Sequence, residues 1–128
     1  MPVRPFLTAT LLVLAACTRQ DARLQQHKEK FESFGATIEA VGQAWLKGAV
    51  SGTYTLTALG ETLRLVEQER AALVATPEML LDARGAALSQ QEEKLSRLIA
   101  QLTGDVQAAR ADAARSHLAG IPIKPGQP

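Results

Sequence analysis

The sequence offers few side chains with which to bind a metal or to carry out catalysis. It contains two histidines, His27 and His117, and one cysteine, Cys17. A di-iron site in a helical bundle uses Glu-x-x-His, but Leu24 and Ala114 stand three residues before the two histidines. A single cysteine also cannot supply the paired thiolates of a structural zinc site. We therefore predict no metal, no cofactor and no catalytic residue. We interpret His27 as part of an apolar seam and His117 as a partner of a helix C-terminus.

Acidic side chains occur along the chain beside basic or polar neighbours, with Glu67, Glu69, Glu92 and Glu93 as the clearest examples. Such patterns are typical of a solvated helix face. We interpret these four glutamates in that way.

Two large aromatic side chains, Trp45 and Tyr54, flank a stretch that contains two glycines. Protein interfaces are enriched in such residues, so the pair is a candidate partner surface. The alternative is that both side chains close one end of the core.

The charge balance argues against nucleic acid as a partner. The chain has 14 basic and 13 acidic residues, and removal of residues 1–16 would take away only Arg4. The remainder then has equal numbers of both signs. Nucleic-acid binding requires a concentrated basic face, and a membrane-surface helix is typically rich in lysine and arginine.

The first residues have the pattern of an export signal. An uncharged run, residues 6–16, follows Arg4. The run is shorter than the roughly 20 residues of a membrane-spanning helix and has the length of a signal-peptide core. A plain signal peptide or a buried apolar strand is the alternative reading of this run.

The run ends in Leu14-Ala15-Ala16-Cys17, which resembles the lipobox of bacterial lipoproteins. The resemblance implies that the Cys17 sulfur receives a diacylglyceryl group and that the chain is cut between Ala16 and Cys17. Thr18 follows the cysteine where an aspartate would resemble an inner-membrane retention signal. The resemblance therefore implies an outer-membrane anchor that faces the periplasm.

The remaining chain shows three helical segments with apolar residues at alternating spacings of three and four. Their predicted seam positions are, in order, Leu24, His27, Phe31, Phe34, Ile38, Val41 and Trp45; Leu56, Leu59, Leu63, Val66, Arg70 and Leu73; and Leu88, Leu95, Ile99, Leu102, Val106, Ala109 and Ala113.

Glycines in residues 47–52 predict the first turn, and Thr76-Pro77-Glu78 predicts a restart. In the third segment Gly85 could break the helix, or a capping box at Ser89-Gln90-Gln91-Glu92 could mark a boundary.

These patterns predict an all-α protein, an up-down-up three-helix bundle whose third helix is about 30 residues long. Residues 1–16 are the predicted signal peptide, 17–20 an acylated anchor and linker, 21–119 the bundle, and 120–128 an extended proline-rich tail.

We expect a non-enzymatic binding, tethering or assembly module in the cell envelope, with another envelope protein or a second copy of itself as partner. The alternative is a small inhibitor or exclusion lipoprotein that neutralises an incoming enzyme or a conjugation apparatus.

Overall fold

The protein is all-helical over the residues that a computed structural model describes. It describes the backbone of residues 4–122 and the side chains of residues 19–122. The helices are α1 (Arg4–Leu46), α2 (Gly52–Val74), α3 (Pro77–Leu81), α4 (Ala83–Gln107) and α5 (Ala111–Ala119). Within residues 4–122 no strand is present. The prediction of an all-α fold is therefore confirmed.

The turn between α1 and α2 lies where the glycines predicted it. Gly48 adopts φ +73°, a left-handed conformation that glycine takes at little cost. Ser51 then caps α2, because its side-chain oxygen accepts a hydrogen bond from the backbone N–H of Tyr54 at 3.1 Å.

The segment that was expected to form one long third helix is divided into α3, α4 and α5. Pro77 begins α3, as predicted, but this helix has only five residues. Asp82 then caps α4 by accepting from the N–H of Arg84 at 2.9 Å. Both alternatives for a break, Gly85 and the box at Ser89, lie inside α4, which is continuous over 25 residues.

Gly85 has a packing role instead. A Cβ atom at this position would lie 1.9 Å from the backbone oxygen of Met79, so only glycine lets α3 fold back this tightly.

The second break falls at residues 108–110, within the alanine-rich stretch. Ala109 has φ 54°, and the N–H of Arg110 donates to the carbonyl of Asp105 at 2.8 Å. The reversal lets α5 bury Ala114 and Leu118, and Leu118 packs close to Gly42 of α1. Alanine favours helix and carries no turn signal, so the sequence alone did not reveal this break.

The core forms where α2 packs against both α1 and α4. Its buried apolar residues include Leu24, Phe31, Ile38, Leu59, Val66, Leu73, Leu88, Leu95, Ile99, Leu102 and Val106. Most predicted seam positions are therefore in the core. Ala109 is exposed, because the chain turns there.

The seam of α2 differs from the prediction in one respect. Thr55, Thr62 and Glu69 are buried on it, whereas Leu56 and Leu63 lie beside it and are only partly buried. The two threonines satisfy their hydroxyl groups by donating to the carbonyls of Ser51 and Ala58, each at 2.8 Å. Hydroxyls bonded in this way can lie in a core at little cost.

The chain after α5 begins by packing on the core. Ile121, within the predicted proline-rich tail, is buried. Residues 123–128 of that tail lie outside the described residues.

Candidate functional site

A polar layer crosses the otherwise apolar core. We define it as His27 of α1, Glu69 of α2 and Glu92 of α4. Glu69 falls between the buried Val66 and Leu73, and Glu92 between the buried Leu88 and Leu95, in each case at spacings of three and four. The three side chains therefore occupy the same kind of inward position as the leucines of neighbouring layers.

Glu69 is the paired carboxylate of the polar layer. Its Oε1 lies in close contact with Nδ1 of His27, and its Oε2 accepts a hydrogen bond from Nζ of Lys30 at 3.3 Å. Glu69 is only 9 % exposed, and the ammonium group of Lys30 and the imidazole of His27 are its polar neighbours.

Glu92 has no such partner among the described residues. It is 1 % exposed, and neither of its carboxylate oxygens forms a hydrogen bond. Burial, and secondarily the negative charge of Glu69, raise the pKa of Glu92 to about 7, while Arg70 opposes the shift. This carboxyl group therefore holds a proton in a pH range where an ordinary glutamate has lost it.

Arg70 lies at the edge of the layer. Its Nη2 is 3.6 Å from Oε2 of Glu93, and its Nε is buried without a hydrogen-bond partner in the described part of the chain. The guanidinium thus turns toward the half-exposed Glu93 and leaves the interior carboxyl of Glu92 unpaired.

The interpretation of four glutamates as one solvated face is wrong for two of them. Glu67 is exposed and Glu93 is partly exposed, but Glu69 and Glu92 are buried. The sequence did contain a signal for the burial of Glu69 and Glu92. Both glutamates follow the three-and-four seam spacing, at positions 66, 69 and 73 and at positions 88, 92 and 95.

The polar layer can hold a proton on Glu92, but this carboxyl group is not accessible from solvent. The carboxyl oxygens of Glu92 have no contact with solvent. Among residues 19–122, no three histidine, cysteine, aspartate or glutamate side chains are arranged to hold a metal ion.

A second polar cluster joins α5 to α4. Nδ1 of His117 lies 2.5 Å from Oδ2 of the buried Asp105, and Nε and Nη2 of Arg110 donate to Oδ1 at 3.4 Å. His117 lies in the last turn of α5, as its predicted role requires. The adjacent Ser116 donates to the carbonyl of Asp112 at 3.3 Å. The cluster therefore fastens the turn at residues 108–110.

Trp45 and Tyr54 lie on either side of the first turn. Trp45 is partly buried and packs against the core, whereas Tyr54 is 57 % exposed. Leu65 is 39 % exposed and follows Tyr54 by eleven residues, which is close to three full helical turns. Tyr54 and Leu65 thus share the outer face of α2, and we refer to them as the α2 face.

An open groove of about 510 Å³ lies between α1 and α4. Its floor includes Leu24 and Leu88, and Lys28, Glu32 and Arg84 stand along its sides. Pro122, the last described residue, also lines it. The groove therefore combines an apolar floor with charges of both signs.

The predicted lipidation site lies in the first part of α1. The backbone of Ala16 and Cys17 belongs to this helix, but their side chains are outside the described residues. Among the described residues, no helix combines the length and the hydrophobicity needed to cross a bilayer.

Comparison with protein-family models, with curated proteins and with solved structures gives no match for this chain.

Proposed function

We propose that the mature protein begins at Cys17 and is held by lipid on the outer membrane, facing the periplasm. The observation that carries the anchor is the sequence Leu14-Ala15-Ala16-Cys17 behind a short uncharged run. α1 continues from Cys17 into the core without a break. Lipid on Cys17 would therefore hold the folded domain directly at the membrane.

We further propose that the domain is a three-helix bundle of α1, α2 and α4 in up-down-up order. Contacts between helices support this arrangement. Lys30 of α1 meets Glu69 near the end of α2, and Arg70 of α2 meets Glu93 in the first half of α4. Asp21 of α1 meets Arg84 at the start of α4 at 2.7 Å. In this proposal α3 covers one end of the bundle, and α5 folds back from the other end onto α1 and α4.

The work of the domain, in this proposal, is to bind and tether another envelope protein without catalysing a reaction. The observation that carries the binding role is the α2 face, where Tyr54 and Leu65 expose apolar surface on one side of one helix. Tyrosine supplies a rigid contact area and a polar tip, which suits a protein interface.

The anchor is tested with Cys17→Ser in the producing cell, with membrane fractionation and the mass of the N-terminal peptide as readouts. We expect the wild-type peptide to begin at Cys17 and to carry acyl chains, and the variant to remain uncleaved or to leave the membrane. A variant that is cut at the same bond and stays equally membrane-bound would overturn the anchor.

The partner surface is tested with a photo-crosslinking amino acid at position 54 or 65 in the full-length protein. We expect irradiation of intact envelopes to give one reproducible heavier adduct from either position. The matched control is position 101, since Gln101 is exposed on α4. Equal adducts from all three positions, or an adduct with a second copy only, would contradict binding of a different protein at the α2 face.

A further inference from the structure

The end of the domain nearest to Cys17 exposes apolar side chains. Leu81, the last residue of α3, is 88 % exposed, and Val74, the last residue of α2, is 47 % exposed. Met79 is buried and holds α3 across this end of the core. The direction of Leu81 is therefore set by the packing of its own short helix.

The same end is joined to the segment that follows the anchor. The side-chain amide of Gln20 donates to the carbonyl of Glu78 at 3.4 Å and to Oδ2 of Asp82 at 3.5 Å. Cys17 precedes Gln20 by three residues of the same helix, which is about 4.5 Å of helical rise. A lipid on Cys17 would therefore hold α3 within roughly one helical turn of the bilayer.

The charges around this end balance. Three arginines, Arg19, Arg23 and Arg84, and three acidic residues, Asp21, Glu78 and Asp82, lie at this end. Arg84 is paired with both aspartates at 2.7 Å. Arg19 and Arg23 are exposed and line a shallow pocket with Met79. Long side chains of this kind can extend to headgroups while the apolar residues beside them enter the interface. The contact expected here is apolar and depends little on salt.

We propose that Leu81 and Val74 contact the phospholipid bilayer that holds the acyl chains of Cys17, so that the α3 end of the domain rests on the membrane surface. This inference rests on the proposed lipid anchor. It adds a second, non-covalent contact, which fixes the orientation of the domain and turns its opposite end toward the periplasm.

The test uses the full lipidated protein, purified from membranes and placed in phosphatidylcholine–phosphatidylglycerol vesicles. Cys17 is the only cysteine, so a thioether there leaves Leu81→Cys with a single free thiol for the dye NBD. Leu65→Cys is the matched control, because it also lies on an exposed surface but stands about 13 Å further along α2 from Val74. Circular dichroism verifies that both variants keep the wild-type helix content.

We expect the dye at position 81 to emit at shorter wavelength than the dye at position 65. Quenching by doxyl-labelled phospholipid should be several-fold stronger at position 81, at both low and high salt. If the wild-type protein takes up no dye and quenching is equal at positions 81 and 65, the proposed bilayer contact is overturned and the lipid anchor stands. A wild-type chain that takes up the dye has a free Cys17 thiol, and this result would overturn the anchor together with the contact.

Discussion

Glu69 and Glu92 are both buried in the polar layer of the core, yet only Glu69 is in contact with basic side chains. Lys30 donates a hydrogen bond to Glu69 and His27 contacts it, while the carboxyl group of Glu92 is enclosed without a hydrogen bond from any described residue. Burial, and secondarily the negative charge of Glu69, raise the pKa of Glu92, so the unpaired carboxyl group retains its proton. This asymmetry makes the stability of the domain depend on pH.

Glu92→Gln is expected to stabilise the protein above neutral pH. The pKa of Glu92 is raised from 4.5 in the unfolded chain to about 7 in the fold, so the folded state binds more protons between these values. The contribution of Glu92 to stability is therefore fully present below pH 4.5 and is lost as the pH rises to about 7. At pH 8 the variant should exceed the wild type by about 3 kcal/mol in urea unfolding, and at pH 4.5 the two should agree.

The control for this effect is Glu67→Gln, which makes the same change on the exposed side of α2. Its unfolding free energy should differ little from the wild type at either pH. A difference between Glu92→Gln and wild type that does not grow with pH would show that Glu92 is ionised in the folded state.

His27→Ala is expected to destabilise the domain by about 1–3 kcal/mol, because the buried carboxylate of Glu69 loses one of its two basic partners. Chemical unfolding at pH 6 measures the change. Combining it with Glu69→Ala in a double-mutant cycle should give a smaller loss than the sum of the single losses. Additive losses would mean that the contact between His27 and Glu69 contributes nothing to stability. The control is Gln26→Ala, at an exposed position of α1, whose unfolding free energy should stay close to that of the wild type.

Alanine should have opposite effects at two helical glycines. At Gly85 a Cβ atom would collide with the backbone of Met79, so Gly85→Ala should cost about 2 kcal/mol. At Gly60 no atom lies within 4 Å of the Cβ position, and Gly60→Ala should stabilise α2 by about 1 kcal/mol. Thermal melts of both variants measure this, and stabilisation by both would contradict the close approach of α3 to α4.

Leu102→Asp should unfold the domain, because Leu102 is buried in the core and an unpaired charge there costs several kcal/mol. Leu81→Asp is the matched control at an exposed leucine, and in aqueous solution its circular dichroism melt should equal that of the wild type. An unchanged melt for Leu102→Asp would refute the assignment of the core.

The alternating spacing of apolar residues was enough to predict an all-helical protein and most of its core. Leu24, Phe31 and Ile38 on α1, and Leu88, Leu95 and Ile99 on α4, are buried where this spacing places them. The glycines also predicted the first turn correctly, because Gly48 takes a backbone conformation that other residues avoid. The helices, their apolar stripes and the glycine turn depend on residues that are close in sequence, so the sequence pattern is sufficient to predict them.

Only the tertiary structure decided which buried polar residues have partners and where the last helices end. The seam spacing marks positions 69 and 92 as inward. Only the packing of α1, α2 and α4 shows that Glu69 meets His27 and Lys30, while Glu92 has no hydrogen bond among the described residues. The turn at residues 108–110 likewise depends on distant contacts, since Leu118 packs at Gly42 and His117 reaches Asp105. Alanine at position 109 accepts a left-handed backbone there because those contacts outweigh its local preference.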